Sequence, residues 1–242
     1  MKKQNIVLKV ENLNFNYTPG SSYILSDVSL EIYKGEFIII VGPRGEGKST
    51  FLKIISGLIL PEEGNVFYDG VNLKGIFKKE LMEIHQRTGF VFQDSALISN
   101  MNVFNNLALP LRYHEIMPEE KITEEVNKMI TIINMENHRF HLPAFLSMGQ
   151  RKMVALARAL ITQPETIFYD EPIANLDDNS RNIIVKLMTE AYNKGVTSVV
   201  ITHEIDKFLG FADRIIEIKD RTIANIKNLK IDRSPETIDQ KR

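Results

Sequence analysis

Gly42-Pro43-Arg44-Gly45-Glu46-Gly47-Lys48-Ser49 carries the spacing G-x-x-x-x-G-K-S, with Thr50 next in the chain. Glycines at these steps let the backbone curl so that successive N–H groups point into one concavity, which suits the oxygens of a phosphate chain. A helix starting at the loop adds free N–H groups and the positive end of its dipole. Lys48 has the reach to meet β- and γ-phosphates. The Ser49 hydroxyl suits Mg2+, a hard ion that takes oxygen ligands. The pattern lies between an apolar strand candidate, EFIIIV, and a helix candidate, FLKIISGL, which is the context such a loop requires. Glu46 is the awkward member. Its carboxylate would repel a phosphate, so its side chain is expected to point outward.

Two acids, Asp170 and Glu171, end the apolar run TIFY. In open parallel sheets, ligands gather beyond the C-terminal ends of the strands. There Asp170 can hold Mg2+ through water, and Glu171 can take a proton from an attacking water. That is the chemistry of nucleoside triphosphate hydrolysis. His203 follows the run SVVIT, and Gln93 ends GFVFQ. At neighbouring strand ends the imidazole can bond a phosphate oxygen, and the Gln93 amide oxygen can meet Mg2+ or order water. Each of these residues taken singly also reads as structural or solvated. Four strand ends delivering Lys48 and Ser49, Gln93, Asp170 and Glu171, and His203 to one edge is what argues for a site.

A second glycine-containing turn, Leu146-Ser147-Met148-Gly149-Gln150, precedes RKMVALARAL. Ser147 and Gln150 have the spacing of a capping box, in which Ser147 caps the N3 amide and Gln150 reaches back. Met153, Val154, Leu156, Ala157, Leu160 and Ile161 then form the buried face of the helix. A cap does not require Gly149, which costs a helix about 0.5–1 kcal/mol against alanine. An exposed hydroxyl beside a bare amide at a helix N-terminus is an anion site. The first loop already holds this chain's phosphates, so the second turn is expected to bind a γ-phosphate held by another copy. Two chains would then clasp two nucleotides head to tail.

These residues need strands and helices in alternation, and the chain supplies them. Ile6, Leu8 and Val10 are expected on one strand face, as are Val28, Leu30 and Ile32, with a turn at Thr18-Pro19-Gly20 between the two strands. GNVFYDG reads as another short strand. From Ser95 to Thr162 the period is helical: Ile122, Val126, Met129, Ile130 and Ile133 line one face, with Pro118 at the helix start. TIFYD and GVTSVVITHE return to buried strands, separated by a helix from about Asn179 to Asn193, and DRIIEIKDRTIANI reads as a terminal hairpin. The pattern predicts a parallel α/β sheet with a helical insertion. With 30 Lys and Arg against 31 Asp and Glu, the net charge of -1 gives no electrostatic footprint for nucleic acid. The absence of cysteine excludes disulfides and thiolate metal sites. No apolar run is long enough to span a bilayer and the N-terminus does not read as a secretory signal, so a cytoplasmic location is expected.

Together these motifs resemble the ATP-binding cassette of ABC transporters over nearly the whole chain. GPRGEGKST resembles its Walker A motif, TIFYDEP its Walker B with the catalytic glutamate, LSMGQ its LSGGQ signature, and Gln93 its Q-loop. Ala174-Asn175-Leu176-Asp177 resembles the D-loop, His203 the switch histidine, and Tyr17 the aromatic that stacks on adenine. The resemblance implies a P-loop NTPase with a RecA-like mostly parallel sheet, an N-terminal antiparallel β lobe and an inserted helical lobe. The expected division of 5–242 is a β lobe at 5–35 and 64–75, a core at 36–63, 76–94 and 163–242, and a helical lobe at 95–162. It implies ATP and Mg2+ as ligands, with Ser49, Gln93 and Asp170 toward the metal. Glu171, His203, Lys48 and Gln93 are expected in catalysis. The P-loop from Gly42 to Thr50, Tyr17, Ser147, Gly149, Gln150 and Asp177 are expected to hold nucleotide. Met148 departs from the signature's first glycine, and Asn175 from the serine or threonine common in the D-loop.

FQDSALISNMNVFNNLALPLR looks closest to the ATPases of Mla- and Mce-type phospholipid transport systems. Val103, Phe104, Leu107 and Leu111 share a helical face that fills the lobe's own core or takes a coupling helix of a membrane partner. The resemblance implies an ATPase that dimerises on MgATP, homodimeric in the simplest case, and drives integral membrane permease subunits from the cytoplasmic face of the inner or plasma membrane. An Mce-type lipid-binding partner fits the same branch. Other ABC ATPases, of amino-acid or small-solute import or lipoprotein release, and a nucleotide-switched scaffold are the alternatives. A lone P-loop kinase or GTPase leaves the second turn without a purpose and lacks N-K-x-D.

Overall fold

In the computed structural model, residues 5–229 are described. The expected core segment 163–242 therefore runs beyond them, into residues outside the description.

The N-terminal lobe is an antiparallel sheet in the order β2-β1-β4-β5, built from β1 (Ile6–Phe15), β2 (Leu25–Tyr33), β4 (Glu63–Tyr68) and β5 (Val71–Asn72). Val28, Leu30 and Ile32 alternate inward as their period requires. In β1 the expected alternation starts one residue late. A register shift between Ile6 and Leu8 leaves Ile6 exposed and buries Val7 beside Leu8 and Val10.

The second sheet runs β10-β9-β3-β8-β7-β6, comprising β3 (Phe37–Val41), β6 (Thr88–Val91), β7 (Thr166–Asp170), β8 (Thr197–Ile201), β9 (Arg214–Lys219) and β10 (Thr222–Asn228). All neighbours are parallel except the β9–β10 hairpin. β3 shows why its sequence is continuously apolar. Phe37 and Ile39 enter one core and Ile38 and Ile40 enter the other, so the strand is buried on both faces. The β lobe and α1 (Lys48–Ile55) cover one face. The other is covered by α3 (Val103–Tyr113), α4 (Glu119–Ile132), α5 (Met148–Leu160) and α6 (Asp178–Asn193). Tyr68 on β4 donates its hydroxyl to Thr166 on β7 at 2.9 Å and joins lobe to core.

Among the helices of the insertion, α4 buries Ile122, Val126 and Ile130, with Met129 partly covered and Ile133 buried just past its end. Val103, Leu107 and Leu111 of α3 face the same core, and Phe104 packs against it, so this stripe is internal to the lobe. α2 (Lys78–Gln86) has no counterpart among the expected elements. It buries Ile84 alone, and one apolar contact leaves no periodic signal.

Candidate functional site

Four adjacent parallel strands, β3, β8, β7 and β6, end at the same edge of the sheet. Beyond β3 comes the P-loop, beyond β8 His203, beyond β7 Glu171, and beyond β6 Gln93. The structure therefore brings together the residues whose convergence the sequence could only suggest, at the edge where open α/β sheets bind ligands.

The P-loop turns from β3 into α1. A side chain at Gly42 would place its Cβ 2.0 Å from the Ile218 carbonyl oxygen, so the loop passes too close to β9 for any other residue. Lys48 is buried, and its ammonium donates to the carbonyls of Gly42 at 2.8 Å and Pro43 at 2.6 Å, inside the curl. Burial lowers its pKa, against the opposing pull of Glu171 and Asp170. Glu46 turns away, as its charge requires: its carboxylate accepts the Arg221 N–H at 2.9 Å, in the β9–β10 turn. Pro43, Arg44 and Gly45 form the exposed lip. Tyr17 is 58% exposed and lies edge-on to Phe15, and its hydroxyl is 3.1 Å from that of Thr50.

Ser49 donates its hydroxyl to Asp170 at 3.1 Å, and both line a cavity of about 600 Å3 with Gln93, Lys53 and Asn175. Hard oxygen donors from Ser49, Asp170 and Gln93 in one open cleft fit Mg2+, which takes few protein ligands and completes its shell with water and phosphate. Among the described residues no three His, Cys, Asp or Glu cluster into a closed metal cage. Burial raises the Asp170 pKa, and the Ser49 hydrogen bond moderates the rise.

Glu171 has a backbone φ of 49°, in the left-handed region that costs a non-glycine residue on the order of 1–3 kcal/mol. Its N–H extends the ladder to Ile201 O at 3.0 Å, and its carboxylate lies 3.2 Å from His203 Nε2. Burial raises its pKa, and His203 opposes that rise. A carboxylate with a raised pKa beside an imidazole is suited to accept a proton.

The second turn forms the expected capping box. Ser147 Oγ accepts the Gln150 N–H at 3.2 Å, and the Gln150 side chain accepts the Ser147 N–H at 2.8 Å. Gly149 also has a reason within this chain. A Cβ there would lie 2.3 Å from Ser180 Oγ and 2.9 Å from Ser180 Cβ, so the missing side chain is required within this chain, where α5 crosses the start of α6. Asp177 is engaged there too. It accepts from the Ser180 N–H at 2.9 Å and hydroxyl at 2.8 Å, capping α6, and these bonds hold its pKa down. Ser147 and Met148 remain exposed.

Sequence reasoning missed two residues of α5. Lys152 is buried and donates to the carbonyls of Glu171 at 2.6 Å and Ala174 at 3.0 Å. Arg158 donates to the carbonyls of Ala96 at 3.0 Å and Ser95 at 3.3 Å, securing the left-handed pair that follows Gln93. A cation inside an otherwise apolar helix reads as solvated. The only available hint was that Lys152 falls on the buried face set by Leu156 and Ala159.

The family model described as ABC transporter matches residues 25–174. The intermembrane phospholipid transport system ATP-binding protein MlaF of Haemophilus influenzae is 34% identical over 91% of this chain and 83% of its own length. The sulfate/thiosulfate import ATP-binding protein CysA of Bacillus cereus is 36% identical over 89% of this chain and 60% of its own. Among solved structures, a dimeric ATP-binding cassette in a post-hydrolysis state with ADP and Pi superposes with a TM-score of 0.86. It shares 35% identity and covers 93% of this chain and 99% of that one.

Proposed function

The chain belongs to the ABC transporter family as an ATP-binding cassette, and from that premise we propose that it hydrolyses ATP as a dimer to drive an integral membrane partner, with phospholipid as the cargo. One observation carries the hydrolytic reading: Glu171 and His203 stand 3.2 Å apart at the strand edge that also holds Lys48 and the Ser49–Asp170 pair. The P-loop amides and Lys48 bind the β- and γ-phosphates, the ammonium exchanging loop carbonyls for phosphate oxygens. Tyr17 offers an exposed ring to the adenine base. Mg2+, when bound, neutralises charge on the phosphate oxygens, held by Ser49, Asp170 and Gln93. Glu171 takes the proton of the attacking water, and His203 stabilises charge developing on the phosphoryl group.

Ser147, exposed at the tip of α5, completes the pocket of a second copy, in a homodimer in the simplest case. The dimeric relatives support this arrangement. The cargo rests on the MNVFNN–PLR stretch and on the phospholipid transport relatives. An Mce-type lipid-binding protein is the extracytoplasmic partner this branch implies. No described helix is long and apolar enough to cross a membrane; in this reading the permease supplies the path and the cassette docks on its cytoplasmic face. Glu171→Gln should lower turnover roughly 10²–10⁴-fold and retain ATP, trapping a dimer visible by size-exclusion chromatography with light scattering. A chain that stays monomeric with bound MgATP at high concentration would count against the reading.

A further inference from the structure

Lys152 sits in the second turn of α5, five residues after Ser147, with 4% of its surface exposed. A buried ammonium is costly unless its hydrogens are matched, and this one is matched by backbone. It donates to Glu171 O at 2.6 Å and to Ala174 O at 3.0 Å. Neither acceptor belongs to its own helix, and both lie in the loop between β7 and α6.

The Glu171–Pro172 peptide makes the first bond consequential. Pro172 has no N–H, so the Glu171 carbonyl is the only polar handle on that peptide. A residue before proline also prefers extended backbone, whereas Glu171 is held at φ 49°. The ladder bond from its N–H to Ile201 O secures the residue on the strand side. Lys152 supplies the hold on the other side. The second bond, to Ala174, secures the same loop on its way to Asn175 and Asp177.

We propose that Lys152 is a positioning residue for hydrolysis: it holds the Glu171 peptide in its left-handed conformation, aims the carboxylate at His203, and ties that aim to the turn at Ser147. The inference rests on the hydrolytic reading above. Ser147 and Lys152 share one rigid helix, so a displacement of the turn is transmitted to the loop that bears Glu171. A chain's acid is then aligned through the same helix that reaches the second copy.

The test compares Lys152→Met, which fills similar volume without donors, with Lys152→Arg, which keeps charge and two donors. Lys152→Met should lower kcat about tenfold to a hundredfold, as a misplaced catalytic group does, with KM for ATP within about twofold of wild type. Lys152→Arg should restore most of kcat. In the nucleotide-free protein, amide hydrogen exchange across residues 171–177 should quicken in Lys152→Met and return toward wild type in Lys152→Arg. Should Lys152→Met fail to fold, Lys152→Leu, which likewise has no donor, takes its place. Wild-type kcat in Lys152→Met, equal losses in the Met and Arg variants, or unchanged exchange in the loop would each overturn the proposal. A wild-type chain without ATPase activity would instead sink the hydrolytic reading, while the exchange comparison would still decide whether Lys152 holds the loop.

Discussion

Gly149→Ala separates two explanations of one glycine. If the position is bare only so that a second chain's phosphate can approach, alanine should stabilise the isolated chain, because glycine costs a helix about 0.5–1 kcal/mol relative to alanine. The structure requires the opposite sign. An added Cβ would lie 2.3 Å from Ser180 Oγ and 2.9 Å from Ser180 Cβ. The hydroxyl can rotate away, at the expense of its hydrogen bond to Asp177, worth about 0.5–1.5 kcal/mol. Ser180 Cβ moves only if α6 moves with it, and overpacking of this kind costs about 1–3 kcal/mol. Set against the propensity gain, the net loss is roughly 2 kcal/mol. For a chain of this size that lowers the melting temperature by roughly 4–8 °C, readable by circular dichroism on nucleotide-free protein. Ser180→Gly removes both clashing atoms, so Gly149→Ala combined with Ser180→Gly should lose less than the two single variants together. A rise in melting temperature for Gly149→Ala would refute the close crossing of α5 and α6.

The same geometry fixes two further outcomes. Burial raises the Asp170 pKa above its usual 3.8, so the folded chain holds that proton more tightly than the unfolded chain. This contribution to stability is full below the ordinary carboxylate range and is lost as pH rises through the raised value. Asp170→Asn should therefore gain stability over wild type as pH climbs from about 4 toward 7, and a gap that ignores pH in thermal melts would contradict the assignment. Ser147→Arg should abolish turnover yet leave the ATP affinity of the isolated chain unchanged. Equal loss of ATP binding by titration would place the turn at its own chain's nucleotide.

The residues named for chemistry share a reason for being readable: each motif is local. The P-loop is a run of backbone steps with a lysine and a serine at fixed offsets. The capping box spans four residues, and strand ends show as apolar runs closed by Asp170, His203 or Gln93. The outward turn of Glu46 follows from charge alone. Where the reading failed, the determining contact lay far off in sequence. The alternation of β1 groups Ile6 with Leu8 and Val10, since a one-residue register shift against β2 leaves no trace in β1 itself. Lys152 carries no local signal because its partners, Glu171 and Ala174, lie about twenty residues away in another element.

Gly149 draws the line between the two kinds of knowledge. The sequence by itself determined that a glycine interrupts a capped helix start, that a phosphate loop precedes a parallel sheet, and that acids close one of its strands. These are statements about neighbouring residues, whose sterics and periodicity act over a few ångströms of chain. What emerges only from the tertiary packing is that Ser180 fills the space beside Gly149, that Asp177 is engaged as the α6 cap, and that a buried ammonium bonds the Glu171 carbonyl. Those facts depend on which elements cross and at what distance, and crossing is settled by the packing of two cores rather than by any local stretch of chain.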